Sequence, residues 1–128
     1  MNVLAENLCF GVALAFATLT TFTCAFAQDA AKGQKIFQEQ CSGCHSPLQG
    51  RNLAGPSLFK VVGRTAGKEP GFQYSAANRE SEIIWTVQVL DKFLAGPQKM
   101  MPGTFMTFPG LAFNKDRKDV IAYLTTLE

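Results

Sequence analysis

Apolar residues run almost unbroken from Leu8 to Ala27, stop, and then recur only at intervals along the rest of the chain. Gly33, Ile36, Phe37 and Cys41 fall on one helical face, which predicts a first helix from Asp29 to about Gln40. Val87, Leu90 and Leu94 mark a second helix over Thr86 to Ala95, with Gly96-Pro97 as its stop. Val120, Ile121, Leu124 and Leu127 line the apolar side of a last helix that begins near Asn114, a residue suited to the N-cap. Between these elements the chain is rich in Gly and Pro ("PLQG", "AGPS", "VGRTAGKEPGF", then "GPQKMMPGTFMTFPG"), a composition that favours irregular loops over strands. One short run, "SLFKVVG", has strand-like residues but no partner for them. The expected fold is therefore all-α: a single small domain of helices joined by long loops.

The first 27 residues contain no Lys or Arg and one acid, Glu6. They end in Ala25-Phe26-Ala27, a small-residue cleavage pattern followed by polar residues, so we read 1–27 as an export signal cut after Ala27. The competing reading is an uncleaved membrane anchor, since the apolar run approaches bilayer length. Lipid attachment at Cys24 is disfavoured by the bulky Thr21-Phe22-Thr23 before it. Residues 28–128 keep all 12 basic groups and lose only Glu6 from the 10 acids, which leaves a charge of +3. So mild a balance gives no reason to expect nucleic acid. A domain of about 100 residues buries a modest core, and long loops within it need a surface to pack against. Phe105, Met106, Phe108, Leu111 and Phe113 crowd into one such loop, which implies a large apolar cofactor.

The chemistry concentrates in "CSGCH". Cys41, Cys44 and His45 are adjacent, His45 is the chain's only histidine, and the other cysteines, Cys9 and Cys24, lie in the apolar N-terminus. A structural zinc site needs four N or S ligands, and residues 28–128 offer at most three. A thioredoxin-like redox pair expects a βαβ setting that this chain lacks. Covalent haem attachment fits best, because Cys-x-x-Cys-His is its signature: each thiol adds to a vinyl group and the histidine reaches the iron. An exported chain agrees with haem attachment in the periplasm.

The opposite face of the iron is filled by a second ligand or left open. With no second histidine, Met100, Met101, Met106 and the lysines are the candidates. A thioether is a soft, neutral ligand that raises haem potential, although methionine is more often core filler. Met106 follows Pro102-Gly103-Thr104, where an extended loop can aim a side chain at a flat cofactor, and it is favoured over its neighbours.

With these residues placed, residues 33–124 resemble a class I cytochrome c, of the mitochondrial cytochrome c and bacterial cytochrome c2 group. The resemblance rests on "CSGCH", "AGPSLFKVVGRTAG", "GFQYSAAN", Trp85, "PGTFM" and "DVIAYL", in order and at near-family spacing. It implies a small cytochrome c fold wrapped around one haem c, bound through Cys41 and Cys44, with His45 and Met106 as axial ligands. It further implies that the Pro56 carbonyl orients His45, and that Arg64, Tyr74, Ser75, Trp85 and Thr104 hold the haem propionates. Gly33 and Phe37 would meet Val120 and Tyr123 where the first and last helices cross.

The function implied is that of a soluble, monomeric, non-enzymatic carrier in the periplasm, passing single electrons between membrane redox complexes. Its donor would be a cytochrome bc1-type complex or a periplasmic dehydrogenase, and its acceptor a terminal oxidase or photosynthetic reaction centre. The alternatives are a ligand-binding or peroxidatic haem protein, if Met106 leaves the iron, and a tethered carrier, if residues 1–27 are kept.

Two departures from the group matter. Phe93 stands where a tyrosine usually directs its hydroxyl at the methionine sulfur, which implies a modestly lower potential. Phe105, Ala112 and Phe113 replace lysines that commonly ring the haem edge, while Lys35 and Lys99 remain nearby; this implies a more apolar docking face and a weaker salt dependence, the alternative being that the two rings fold inward and lysines elsewhere compensate.

Overall fold

The computed structural model describes residues 28–128, so the expected export signal and anchor alternative lie outside the described residues. Five helices follow in order: α1 (Ala30–Gln40), α2 (Ala76–Arg79), α3 (Val87–Ala95), α4 (Pro97–Met100) and α5 (Asn114–Thr125). The only β pairing among the described residues is an isolated bridge between Thr65 and Ile84. The described residues are all-α, as their periodicity predicts.

The long helices begin close to where polar residues can cap them. Asp29 caps α1 by accepting the Lys32 N–H at 3.1 Å. Thr86 caps α3, accepting from Val89 at 3.2 Å. α5 departs from expectation: Asn114 lies inside the helix, and the cap position is held by Phe113, which offers no side-chain acceptor. Arg117 secures this end instead. Its guanidinium donates to the Leu111 and Ala112 carbonyls at 2.9 and 3.1 Å and to Asp91 of α3 at 2.8 Å.

The run "SLFKVVG" is a pair of turns rather than a strand. The Val61 and Arg64 N–H groups each bond three residues back at 3.1 Å, and Lys60 takes a left-handed φ of 50°. Two short helices are additional to the sequence expectation. Ser75 caps α2, and Gly96-Pro97 not only ends α3 but starts α4, because proline at the first helical position loses no hydrogen bond there.

The core forms where α1 crosses α5. At Gly33 a Cβ would lie 1.9 Å from the Asp119 carbonyl oxygen, so only glycine permits this approach. The Phe37 and Tyr123 rings meet beside it with centroids 5.3 Å apart. Asp119, 2% exposed, accepts the Asp29 N–H at 2.9 Å and the Lys115 ammonium at 2.6 Å, tying the start of α1 to α5. Leu90, Phe93 and Leu94 of α3 join Val120, Ile121 and Leu124 of α5 in the same cluster. Several of these residues also form one wall of the site.

Candidate functional site: an apolar haem cleft

α1 delivers the motif directly into this wall. The Cys41 and Ser42 N–H groups both bond the Phe37 carbonyl, at 2.9 and 2.8 Å, and the Cys44 and His45 N–H groups both bond that of Cys41, at 3.0 and 2.9 Å. The chain thereby turns sharply, and both thiols and the imidazole reach one cavity of about 370 Å³. The walls comprise mainly aliphatic and aromatic side chains, including Leu58, Val61, Leu90, Phe93, Val120 and Leu124.

All ten residues singled out from sequence line this cavity: Cys41, Cys44, His45, Pro56, Arg64, Tyr74, Ser75, Trp85, Thr104 and Met106. Met100 and Met101 do not line it; they pack into the core, Met101 being 5% exposed.

The imidazole is held firmly. His45 Nδ1–H donates to the Pro56 carbonyl at 2.8 Å, which fixes the tautomer and leaves the Nε2 lone pair free. The ring lies against the backbone of Gly55, where a Cβ would stand 2.4 Å from His45 Cε1. Burial lowers the His45 pKa, the Pro56 hydrogen bond raises it, and the nearby Arg64 charge lowers it; the net shift is downward, so the ring is neutral and able to ligate.

Burial, and to a lesser degree Cys44, push the Cys41 thiol up to about 11. A redox-active cysteine needs the opposite shift, so the thioredoxin-like reading fails on chemistry as well as on fold. Nor do the described residues contain any cluster of three His, Cys, Asp or Glu side chains able to hold a metal ion.

The polar end of the cavity is built around an asparagine absent from the sequence prediction. Asn78, 8% exposed, accepts from the Ser75 hydroxyl at 2.8 Å and the Thr104 hydroxyl at 3.0 Å. Its one sequence signal is its place three residues after Ser75, where it also closes the α2 cap. Arg64 donates to the Ser57 and Phe59 carbonyls at 2.8 and 3.1 Å and pairs with Glu69. This carboxylate, 8% exposed, is likewise unforeseen. Tyr74 accepts the Glu69 N–H at 3.3 Å; burial raises its pKa, which keeps the hydroxyl protonated as a donor.

Met106 reaches the cavity after the Pro102-Gly103 turn, which is closed by a bond from the Thr104 N–H to the Met101 carbonyl at 3.1 Å. Phe105 and Phe113 are 70% and 73% exposed, so neither folds inward. At the cavity's mouth the exposed lining residues are Gln40, Cys44, Ala54, Phe105 and Thr107, all uncharged. Arg64 is the cavity's only charged lining residue.

These residues fit a haem. The cavity is mostly apolar and almost free of charge, and two thiols, an oriented imidazole, a thioether and neutral polar side chains all line it.

Comparison with known proteins agrees. The family profile described as "Cytochrome c" matches residues 30–128. Cytochrome c2 from Rhodopila globiformis is 49% identical over 100 residues, covering 78% of this chain and 94% of that protein. Cytochrome c from Euglena viridis is 47% identical over 100 residues, covering 78% and 98%. Among solved structures, cytochrome cH from Methylobacterium extorquens superposes with a TM-score of 0.72 at 42% identity, covering 77% of this chain and 98% of that one.

Proposed function

Since this chain belongs to the cytochrome c family and, as a monohaem cytochrome c, binds one haem c through Cys41 and Cys44, we propose that it shuttles single electrons in the periplasm with both axial positions of its iron filled by the protein. The observation that carries this reading is the His45 ring, fixed by the 2.8 Å bond to Pro56 with Nε2 left free at the cavity wall. When bound, the haem supplies a one-electron ferric–ferrous couple.

The protein's part is positional. His45 would hold the iron through its free Nε2, its orientation fixed by the Pro56 carbonyl that accepts the Nδ1–H. Met106, which lines the same cavity, would supply the second ligand. With both ligands supplied by the protein, the ligand set would stay the same in the two oxidation states and leave no position open to a substrate. Asn78, Tyr74, Trp85 and Arg64 would hold the propionates with neutral donors and one paired charge, while the Ser75 and Thr104 hydroxyls, both donating to Asn78 Oδ1, would set the orientation of its amide. The apolar walls exclude water and favour the less charged, reduced state.

The electron partners are membrane redox complexes: a quinol-oxidising, bc1-type donor, or a periplasmic dehydrogenase, and a terminal oxidase or reaction centre as acceptor. The uncharged rim and the exposed Phe105 support contact through an apolar patch with little electrostatic steering. Residues 1–27 serve as the export signal in this reading.

The test is spectroelectrochemistry of the holoprotein. The expected result is one reversible one-electron step, a low-spin ferric spectrum, and no carbon monoxide binding by the ferrous form. A high-spin ferric spectrum with ready carbon monoxide binding would replace the carrier with a ligand-binding or peroxidatic protein.

A further inference from the structure

The loop that carries Met106 has few anchors. Its start is fixed where the Met101 N–H bonds the Pro97 carbonyl at 2.8 Å, and its end where the Leu111 N–H bonds the Leu94 carbonyl at 2.7 Å. Between them, the Met106 N–H reaches only the Thr104 hydroxyl, a local contact at 3.4 Å. The Thr104 hydroxyl ties the loop to Asn78 at 3.0 Å, and one further side chain grips its backbone. The Gln98 amide donates to the Thr104 carbonyl at 2.8 Å and to the Met106 carbonyl at 2.9 Å. Both contacts come from a single Nε2, so the two amide hydrogens grip the backbone on either side of Phe105.

Gln98 is itself well placed to act as a clamp. It follows Pro97, which is fully buried, on the short helix α4. Its donors are therefore presented from a fixed point rather than from a mobile loop. No other side chain among the described residues donates to the Met106 carbonyl.

We propose that Gln98 is a positioning residue that keeps the Met106 thioether seated and so keeps the iron closed to outside ligands. This inference rests on Met106 being the second axial ligand. The amide is needed for its two donors, not for its size or polarity alone. A glutamate of the same length has no such donors, and its charge would repel the two carbonyl oxygens. A methionine fills similar space without any donor.

The probe is imidazole, titrated into the ferric holoprotein and followed by absorption, in wild type, Gln98→Met and Gln98→Glu. Lys115→Met serves as the comparator, because it removes the Lys115–Asp119 contact on α5 and nothing in the loop. Gln98→Met should bind imidazole about tenfold more tightly than wild type, equivalent to about 1.4 kcal/mol less closure, and Gln98→Glu at least as tightly. Lys115→Met should stay at the wild-type value even where it lowers global stability.

Wild-type affinity in both Gln98 variants would overturn the inference and leave packing as the restraint. A comparator that tightens as much as Gln98→Met would also overturn it, by showing a general effect of destabilisation. Failure of the underlying reading looks different: wild type itself would lack an iron–sulfur charge-transfer band and bind imidazole without competition.

Discussion

The crossing of α1 and α5 makes a demand that a single added methyl group can probe. In Gly33→Ala the new Cβ would lie 1.9 Å from the Asp119 carbonyl oxygen, 2.5 Å from its carbon and 3.0 Å from Tyr123 Cβ. The obstacle is helix backbone, so no flexible side chain can swing away. The two helices must part by roughly 1 Å, and the separation loosens the Phe37–Tyr123 contact and strains the Asp29–Asp119 bond. Overpacking of this kind costs about 3 kcal/mol at the upper end of its usual range. Alanine recovers up to about 1 kcal/mol through its better helix propensity. The net loss is about 2 kcal/mol, or roughly 8–16 °C in Tm for a domain of this size. Denaturant and thermal unfolding of the holoprotein measure it. Gly96→Ala is the control, because its Cβ would meet nothing nearer than Lys99 Cβ at 3.5 Å. A Gly33→Ala protein as stable as wild type would refute the claim that backbone contact sets this crossing. Because Val120 and Leu124 of α5 also line the cavity, the same variant should broaden the haem spectrum.

Other expectations follow from particular contacts. Burial raises the Asp119 pKa, but the Lys115 ammonium and the Asp29 N–H lower it further, so its folded value lies below the ordinary one. A depressed carboxylate adds stability above its unfolded pKa near 4 and loses it as pH falls through the folded value. Asp119→Asn should therefore be less stable at neutral pH, with the gap closing below about pH 4 in unfolding curves measured across pH. Phe93→Tyr puts a hydroxyl on the cavity wall; donated to the thioether, it should raise the reduction potential by less than the 59 mV of a tenfold shift, and a fall would contradict that geometry. Turnover with a membrane oxidase preparation should change only a few-fold between low and physiological salt, whereas Phe105→Lys should make it distinctly salt-sensitive. A steep salt dependence in wild type would show that lysines elsewhere steer docking.

Much of this architecture was legible because its signals are local. The three long helices follow from apolar spacing, and the attachment site from five consecutive residues, Cys41 to His45. The cap of α5 was misread because Asn114 has the right chemistry, while Arg117 does the anchoring through contacts distant in sequence. "SLFKVVG" carries strand-forming residues, yet its backbone is spent on turns that seat Val61 in the core, and no propensity scale detects that. Asn78, Glu69 and Gln98 escaped for one shared reason. Each is an ordinary polar residue until folding brings it to a hydroxyl donor, a cation or a loop from elsewhere in the chain.

The central claim is that His45 and Met106 together close the iron. Proton NMR of the reduced holoprotein, with methionine methyls isotopically labelled, tests it most directly. A methyl seated on the iron lies over the macrocycle and is shifted far upfield of all other methyls. The account predicts one such resonance in wild type and its loss in Met106→Leu, with the signals of Met100 and Met101 unmoved. A wild-type spectrum without that resonance, or one in which it survives Met106→Leu, would contradict the account.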